Sequence, residues 1–460
     1  MISKFINRGN EISLLEEEWK KENGRLIVLY GRRRIGKTRL LMEFTKDRKG
    51  VFYIAEDSSA RIQINGLKNS IADFLGDSLL KTLEIKDWSQ LFEYLAKNMP
   101  EERFYLIIDE FSYLIKSDKR ILSVLQRLWD TIFSHSQMVM VLSGSMLGLM
   151  SEMVLSYASP LYGRRTRDIH LEELPLKHAR KFLSLSVEDA MKLYFITGGV
   201  PEYLLKAAEY NSLSRFIEKE LLNKMGYFYN EPYFIISQEF RELKTYFSIL
   251  NAIAYGNTKP ADIANFVGIE ARRIYPYLEN LIRLGFIERQ TSILGSPKKG
   301  IYFIKDSLFD FWFNFVFKYK EEIERGIFSQ KSGDMSGYYG KKFENFVRKE
   351  IFPHLLKYSK IGRWWHREEE IDIVAINELG KDIAFFECKW SKLKGRDVER
   401  IIKELRRKAK YVKWGNNERN EQFGVIARYI EDKKILREAG FLLYDMEDFE
   451  RILKWSITHG

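Results

Sequence analysis

The sequence predicts an α/β protein of several domains, the first of which is a parallel β-sheet covered by helices. In residues 25–169, continuous apolar runs alternate with amphipathic segments, as expected for strands buried on both faces and the helices that connect them. The 460 residues are enough for about three domains of ordinary size. Hydrophobic residues make up 45% of the chain, which is sufficient to fill several cores.

The net charge, the cysteine count and the hydropathy pattern indicate which partners and which compartment suit this protein. Lys and Arg total 75 against 64 Asp and Glu, and the formal net charge of +11 suits nucleic acid as a partner. The single cysteine, Cys388, cannot form an internal disulfide, and the first dozen residues lack the apolar segment of a secretory signal. The apolar run at residues 138–155 is interrupted by serines, a glycine and Glu152, so it predicts a strand, a turn and a helix start. We therefore expect a cytoplasmic protein with no membrane partner.

The chain is expected to contain five segments. Residues 1–170 form the parallel-sheet core, with strands at RLIVLYG, GVFYIAE, FYLIIDEF and MVMVLSG, and residues 171–240 form a helical lid. Residues 241–305 indicate three helices and a hairpin, the order of a winged helix-turn-helix. Residues 306–337 are an aromatic connector, and residues 338–460 form a second α/β domain.

A phosphate-binding loop follows the first predicted strand. The segment Gly31-Arg32-Arg33-Arg34-Ile35-Gly36-Lys37-Thr38 fits G-x-x-x-x-G-K-[ST] and lies between a strand and an amphipathic helix. Its glycines allow backbone N–H groups to surround phosphate oxygens, Lys37 supplies charge to the β- and γ-phosphates, and Thr38 ligates Mg²⁺. The predicted nucleotide-binding residues of the loop are Gly31, Arg34, Ile35, Gly36, Lys37, Thr38 and Arg39.

Two acids end the buried strand YLIIDE. Asp109 is expected to hold the hydration shell of Mg²⁺ and Glu110 to polarise the attacking water, although paired acids at this position can also only cap the next helix. Ser143 ends the following strand, where a hydroxyl can sense the γ-phosphate or simply belong to a turn. Asp109, Glu110 and Ser143 thus complete a candidate ATPase site.

These motifs resemble the archaeal ATPases of the STAND group, within the AAA+ superfamily of P-loop NTPases. Phe5-Ile6-Asn7-Arg8-Gly9-Asn10-Glu11 resembles the Arg-x-x-Glu box of that group, and Gly198-Gly199-Val200-Pro201 resembles its Gly-x-Pro signature in the lid. The resemblance covers roughly residues 3–305 and implies ATP as ligand, with Arg8 and Pro201 near the adenine or ribose. It also implies that Pro201 couples nucleotide state to domain orientation, and that the protein forms a homo-oligomer.

Arg164 lies in a run that is similar to the family's segment after the last strand. It is the candidate for a γ-phosphate-sensing or finger arginine, and a surface ion pair is the alternative.

The predicted winged helix offers a possible DNA contact. Its recognition helix would present basic and aromatic residues to a groove, with two lysines on the wing: Arg272, Arg273, Tyr275, Tyr277, Arg283, Lys298 and Lys299. Helical spacing predicts that Tyr275, Leu278, Leu281 and Ile282 are buried. STAND proteins also use such a domain as an internal regulatory lever, and this alternative stays open.

A second acid and lysine constellation lies in the last domain. Glu344 is predicted on a helix, Asp372 at the start of a strand, and Glu387 and Lys389 on one face of the next strand. Two or three carboxylates can bind one or two divalent ions that activate water, while the lysine neutralises developing charge.

This arrangement resembles the PD-(D/E)xK nuclease fold over residues 338–430, with Ile371 in place of the motif's proline. The resemblance implies Mg²⁺ or Mn²⁺ at Glu344, Asp372 and Glu387. Residues 391–419 contain eleven Lys and Arg against four acids, which predicts either a track for a phosphate backbone or a solvated helix face.

The sequence therefore predicts an ATP-binding and hydrolysing protein whose nucleotide state controls a DNA-interacting, metal-dependent nuclease domain. The alternative is an ATP-dependent regulatory switch whose last domain binds DNA or protein without cleavage.

Overall fold

The computed structural model describes residues 6–328, 335–355, 358–416 and 418–453, which divide into two units. The N-terminal unit runs to Leu174 and takes up the chain again for residues 200–206, while the C-terminal unit contains residues 175–199 and the chain from Ala207 onwards. Gly198 lies two residues before the chain re-enters the N-terminal unit at Val200. Its φ of +66° is in the left-handed region that favours glycine.

The N-terminal unit is built on one parallel five-stranded sheet. The strands are β1 (Arg25–Tyr30), β2 (Gly50–Ile54), β3 (Phe104–Asp109), β4 (Met138–Gly144) and β5 (Arg167–His170), in the order β2-β3-β4-β1-β5. All four pairings are parallel, which confirms the predicted α/β class and parallel sheet. The sequence did not predict β5, because only Ile169 of its four residues is buried and the strand has no apolar run.

Helices cover this sheet and bury its apolar side chains. They are α1 (Gly9–Trp19), α2 (Lys37–Thr45), α3 (Ala60–Leu75), α4 (Ser78–Thr82), α5 (Trp88–Asn98), α6 (Phe111–Ser117), α7 (Arg120–Thr131) and α8 (Leu147–Met150). Side chains of α3, α5 and α7, among them Ile64, Phe92 and Leu125, form a common core with Leu106 and Met140 of the sheet. Strand β4 lies between β1 and β3, so the carboxyl ends of these three strands are adjacent, at the edge where open α/β sheets bind ligands.

The C-terminal unit begins with helices and a short hairpin. Its helices before the second sheet are α9 (Leu176–Ala179), α10 (Val187–Thr197), α11 (Pro201–Ala207, most of which belongs to the N-terminal unit), α12 (Leu213–Phe216), α13 (Glu231–Glu239), α14 (Leu243–Ala254), α15 (Pro260–Val267), α16 (Ile274–Arg283), α17 (Ser307–Phe311), α18 (Lys320–Glu324) and α19 (Met335–Phe346). The antiparallel strands β6 (Ile287–Thr291) and β7 (Gly300–Ile304) follow α16. Part of the predicted connector, residues 329–334, lies outside the described residues.

The second sheet has five strands in the order β12-β11-β10-β9-β8. Strands β8 (Lys360–His366), β9 (Glu369–Asn377) and β10 (Asp382–Leu393) are antiparallel neighbours, and β11 (Asn420–Ile430) and β12 (Leu442–Tyr444) extend the sheet in parallel from β10. The helices are α20 (Gly395–Ala409), α21 (Lys433–Glu438) and α22 (Met446–Ile452). Helix α20 buries Val398, Ile402, Leu405 and Ala409 on one face, so its basic residues lie on the other.

Short segments of other helical types complete the chain. They are 3₁₀ turns at Phe133–His135, Arg180–Phe182 and Phe352–His354, and π-helical turns at Ser151–Leu155, Ile217–Leu221, Trp312–Phe317 and Val347–Ile351. No helix within the described ranges is both long and apolar enough to cross a membrane.

The buried face of α16 differs from the prediction. Leu278 and Leu281 are buried as predicted, but Tyr275 and Ile282 are 49% and 37% exposed, so their predicted burial is wrong. The buried stripe starts at Ile274 and continues through Leu278 and Leu281, which turns the residues next to it toward solvent.

Candidate nucleotide-binding site and acidic cluster

Glycine geometry shapes the loop between β1 and α2. A Cβ atom on Gly31 would lie 2.5 Å from the carbonyl oxygen of Leu171, so only glycine fits there. Gly36 has a φ of +93° and lies directly before the first turn of α2. The first N–H groups of this nine-residue helix, which have no acceptor within the helix itself, therefore lie beside the loop, the ordinary setting for an anion site.

Lys37 is buried and lies across this loop. Its Nζ donates hydrogen bonds of 3.0 Å to the carbonyl oxygens of Gly31 and of Arg32. A buried ammonium group needs such acceptors, because an unpaired charge in the interior is costly. The arrangement keeps the charge within the loop that would surround a phosphate.

Thr38 and Asp109 meet at the carboxyl edge of the first sheet. The Oγ1 of Thr38 donates to Oδ2 of Asp109, and the backbone N–H of Glu110 donates to Oδ1 of Asp109 at 3.0 Å. Asp109 is fully buried. A hydroxyl beside a carboxylate is a donor set that suits a Mg²⁺ ion retaining most of its water ligands.

Glu110 is held by a residue that the sequence analysis missed. The hydroxyl of Ser145 donates to Oε2 of Glu110 at 2.6 Å, and the backbone N–H of Ser145 reaches the same oxygen at 3.3 Å. Glu110 has a φ of +53°, a strained value for a residue with a side chain. The predicted sensor Ser143 is buried, and within the described residues its hydroxyl has no hydrogen-bond partner. The signal for Ser145 was its place one residue beyond the end of β4.

Arg8 and Pro201 both lie beside the loop. Arg8 donates to the carbonyl oxygens of Ile35 at 3.2 Å and Glu172 at 2.7 Å, and it pairs with Glu11 at 3.0 Å. A Cβ on Gly36 would have Pro201 Cγ as its neighbour, at 3.9 Å. These contacts bring both residues to the loop, and their nearness to an adenine or ribose stays a prediction.

Arg34 and Arg164, two other arginines predicted at the site, make ion pairs. Arg34 pairs with Glu202 at 3.4 Å, and Arg39, in the first turn of α2, has an exposed side chain. Arg164 makes two 2.7 Å hydrogen bonds to the carboxylate of Asp130, which is the ion pair given above as its alternative role.

The acids of the last domain come together on the second sheet. The register pairs Ile373 of β9 with Phe386 of β10, and one further step places Asp372 opposite Glu387. The backbone N–H of Cys388 donates to Oδ2 of Asp372 at 2.8 Å, and Nζ of Lys389 donates to Oε1 of Glu387 at 2.8 Å. Glu344 reaches the cluster from α19, which packs against β10.

Burial and mutual repulsion change the protonation of this acidic cluster (Glu344, Asp372 and Glu387). Burial, followed by the charges of Glu387 and Glu344, raises the pKa of Asp372 to about 8. Burial is also the main cause of a raised pKa at Glu344. Burial lowers the pKa of Lys389, but the pairing with Glu387 and the charges of Asp372 and Glu344 together outweigh it and leave this pKa raised. Clusters of this kind are frequent at functional sites.

The donor set is only partly arranged for a metal ion. Within the described ranges, no group of three or more His, Cys, Asp or Glu side chains is already positioned to hold one. Asp372 and Glu387 each have an oxygen engaged, by the amide of Cys388 and by Lys389 respectively. A divalent ion at Glu387 would compete with Lys389 for this carboxylate.

A basic cavity of about 710 Å³ adjoins the cluster. Glu387 and Lys389 line it, and the rest of the lining comes from α20 and the residue that follows it: Arg400, Ile401, Lys403, Glu404, Leu405, Arg406, Arg407 and Lys410. The cavity thus combines an acidic site with a cationic wall.

Three protein-family models each match a different part of the chain. Residues 5–207 match an ATPase domain family described as predominantly from Archaea. Residues 240–306 match the sugar-specific transcriptional regulator TrmB, and residues 312–401 match a family described as "Archaea bacterial proteins of unknown function". The uncharacterized protein MJECL04 of Methanocaldococcus jannaschii is 36% identical over 97% of this chain and 100% of its own length. The chain belongs to the family of MJECL04.

One solved structure is similar in fold to about two thirds of the chain. The Walker-type ATPase PABY2304 of Pyrococcus abyssi covers 67% of this chain and 96% of its own, with a TM-score of 0.52 and 23% identity. Together with the ATPase domain match, this likeness makes the MJECL04-family chain an ATPase of the P-loop superfamily.

Ser145→Ala is expected to lower the kcat of this P-loop ATPase by roughly tenfold, because Glu110 loses the hydroxyl that fixes its carboxylate. The KM for ATP should change little, since the Ser145 hydroxyl bonds to Glu110 and, among the residues that the structure describes, not to the phosphate loop. Steady-state ATPase assays test this, with Lys37→Ala as the inactive reference.

Ser112→Ala is the matched control for Ser145→Ala. The hydroxyl of Ser112 is also buried, and it has no partner among the described residues. Equal losses of kcat in the two variants would show that Ser145 has no special role.

Asp372 is expected to make the metal-free protein less stable as the pH rises. Its folded-state pKa of about 8 exceeds the ordinary value of 3.8, so the folded state binds the proton more tightly than the unfolded state. The free energy of unfolding should therefore fall between pH 4 and 8, by at most about 1.4 kcal/mol per pH unit. Urea denaturation with a chelator at several pH values measures this slope, which should flatten in Asp372→Asn. A wild-type slope that this substitution leaves unchanged would contradict the account.

Proposed function

We propose that this P-loop ATPase uses its nucleotide cycle to control a metal-dependent nuclease domain that acts on DNA. The observation that carries the proposal is the acidic cluster with Lys389, next to the cationic cavity on the second sheet. A buried group of like charges destabilises the free protein, and binding a divalent ion would relieve that repulsion.

The proposed ATPase roles follow the contacts at the first sheet. Lys37 would hold the β- and γ-phosphates, while Thr38 and Asp109 would hold the hydrated Mg²⁺ that neutralises phosphate charge. Glu110, positioned by Ser145, would accept a proton from the attacking water. Ser143 supplies a buried hydroxyl at the end of β4 for the γ-phosphate, and Arg8 would fix the loop through Ile35.

The proposed nuclease roles rest on the cluster. Asp372, Glu387 and Glu344 would hold Mg²⁺ or Mn²⁺, which supplies positive charge for water activation when it is bound. Lys389, released from Glu387, would neutralise charge that develops on the phosphate. In this proposal Lys389 would exchange its ion pair with Glu387 for one with the phosphate.

DNA is the proposed partner because cationic surfaces occur twice in the C-terminal unit. Basic residues of α20 line the cavity, and Arg272 and Arg273 just before α16 and Arg283 at its end are exposed. We assign residues 241–305 to a winged helix, since three helices and a hairpin follow one another there. Arginine side chains on such surfaces bind phosphate oxygens, and the resulting affinity decreases with salt.

A homo-oligomer is part of the proposal. Tyr157 and Tyr162 form an exposed aromatic pair with ring centroids 4.9 Å apart, close in sequence to Arg164. Exposed tyrosines and arginines are typical of interface centres, so this segment is the proposed contact with a second copy. Arg164 would then exchange its ion pair with Asp130 for a contact with the nucleotide bound by the neighbouring subunit.

A regulatory switch without cleavage is the second candidate. The partial arrangement of the cluster favours it, because Lys389 and the amide of Cys388 already engage Glu387 and Asp372. In that case the C-terminal unit would bind DNA or protein, and ATP would change only assembly.

The purified protein is expected to cut plasmid or linear DNA with Mg²⁺ or Mn²⁺. Asp372→Ala and Lys389→Ala should each lose at least about 100-fold in rate, because each removes a group that contacts the metal or the phosphate. Gel assays with and without ATP provide the measurement. Glu378→Ala is the matched control, since it removes an exposed carboxylate that follows β9 and pairs with Lys360. Intact DNA under every condition, with ATP still hydrolysed, would establish the switch instead.

A further inference from the structure

The hairpin of the proposed winged helix is bound to the outer edge of the second sheet. Strand β8 is the outermost strand of that sheet, and the turn after β6 meets it. The N–H of Ile293 donates to the carbonyl oxygen of Arg363 at 2.8 Å. The hydroxyl of Ser292 accepts from the N–H of Trp365 at 3.0 Å and donates to the carbonyl oxygen of the same residue at 3.2 Å. The contact therefore satisfies backbone groups that an exposed edge strand would leave unpaired.

Packing at this junction is close and apolar. Ile293 packs against the core of the second sheet, which includes Trp364 and Ile371. A Cβ atom on Gly362 would lie 2.9 Å from the Cβ of Ile293. Only a glycine at position 362 allows the hairpin to come this near.

A second contact joins the hairpin to the helix that carries Glu344. Glu288 of β6 pairs with Lys349 at 2.5 Å, in the π-helical turn that follows α19. Burial raises the pKa of Glu288, but Lys349, together with Gln290 and Arg348, outweighs this and leaves the pKa below its usual value. The hairpin thus holds both β8 and the end of α19.

Arg363 connects this junction to the acidic cluster. Its backbone oxygen accepts from the hairpin, while its guanidinium pairs with Glu370 of β9 at 2.5 Å, two residues before Asp372. Its charge also opposes the effect of burial on the pKa of Glu344. Arg363 is therefore bound to the hairpin through its backbone, while its side chain pairs with Glu370 and interacts electrostatically with Glu344.

We propose that the β6–β7 hairpin is an intramolecular clamp on β8, and that it positions Arg363 beside the acidic cluster. The three-helix module and the second sheet then work as one body, and Arg363 is a positioning residue for the cluster. This inference deepens the proposed nuclease function and rests on it only for the effect on cleavage.

Gly362→Ala in the full chain tests the clamp by hydrogen exchange. The added methyl group must displace Ile293, so the amides of Ile293 and Trp365 should exchange at least about tenfold faster. The effect should extend to residues 369–372 of β9. Gly337→Ala is the matched control, because a Cβ there meets nothing within 4 Å. Ser292→Ala tests the clamp without adding atoms to the junction, because it removes the hydroxyl that bonds to Trp365. Thr291→Ala, at an exposed neighbouring residue, is its control.

The outcomes separate the clamp from the nuclease. Unchanged exchange in Gly362→Ala and Ser292→Ala overturns the clamp, and faster exchange confined to the hairpin overturns the positioning of Arg363. If the wild type cuts DNA, Gly362→Ala should slow cleavage by about tenfold without changing ATP hydrolysis. If the wild type cuts no DNA, the proposed nuclease fails, while the exchange rates still decide the clamp.

Discussion

The hydrogen bond between Thr38 and Asp109 is the contact on which the first site depends. Asp109 is fully buried, and a buried carboxylate is tolerated only where donors satisfy it. Its donors come from the start of α2 and from the amide of Glu110, so the bond joins the phosphate loop to β3 across the end of β4. The strand order β2-β3-β4-β1-β5 is what brings these groups together, with Ser143 and Ser145 between them.

The second sheet is organised around an opposite constraint, the burial of like charges. Strand pairing places Asp372 next to Glu387, and α19 adds Glu344, although each charge makes ionisation of the others harder. Stability alone would not favour such a cluster, whereas the proposed chemistry on phosphates would use it. Lys389, Lys408 and Arg363 partly offset the repulsion, and the hairpin clamp keeps one of these cations in place.

Sequence reasoning succeeded where a pattern is local. The apolar runs of β1 to β4 and the loop from Gly31 to Thr38 are each complete within a few residues, and they predicted the first sheet and its phosphate-loop segment. It failed where a partner far along the chain decides the structure. Ser145 acquires its role only from Glu110, β5 is held by β1 without an apolar run, and Ile293 meets Arg363 some seventy residues away. The predicted buried face of α16 was wrong, because the elements that pack against the helix decide which side chains are buried. Helical spacing alone does not specify those neighbours.

The central claim is that the nucleotide site and the proposed DNA-binding surfaces of this ATPase serve one activity. The most direct test is the steady-state rate of ATP hydrolysis by the full chain, measured with and without duplex DNA at low and high salt. The account predicts that DNA raises the rate at low salt and that the increase disappears at high salt, because phosphate contacts carry the binding. The same rate with and without DNA at every salt concentration would contradict it.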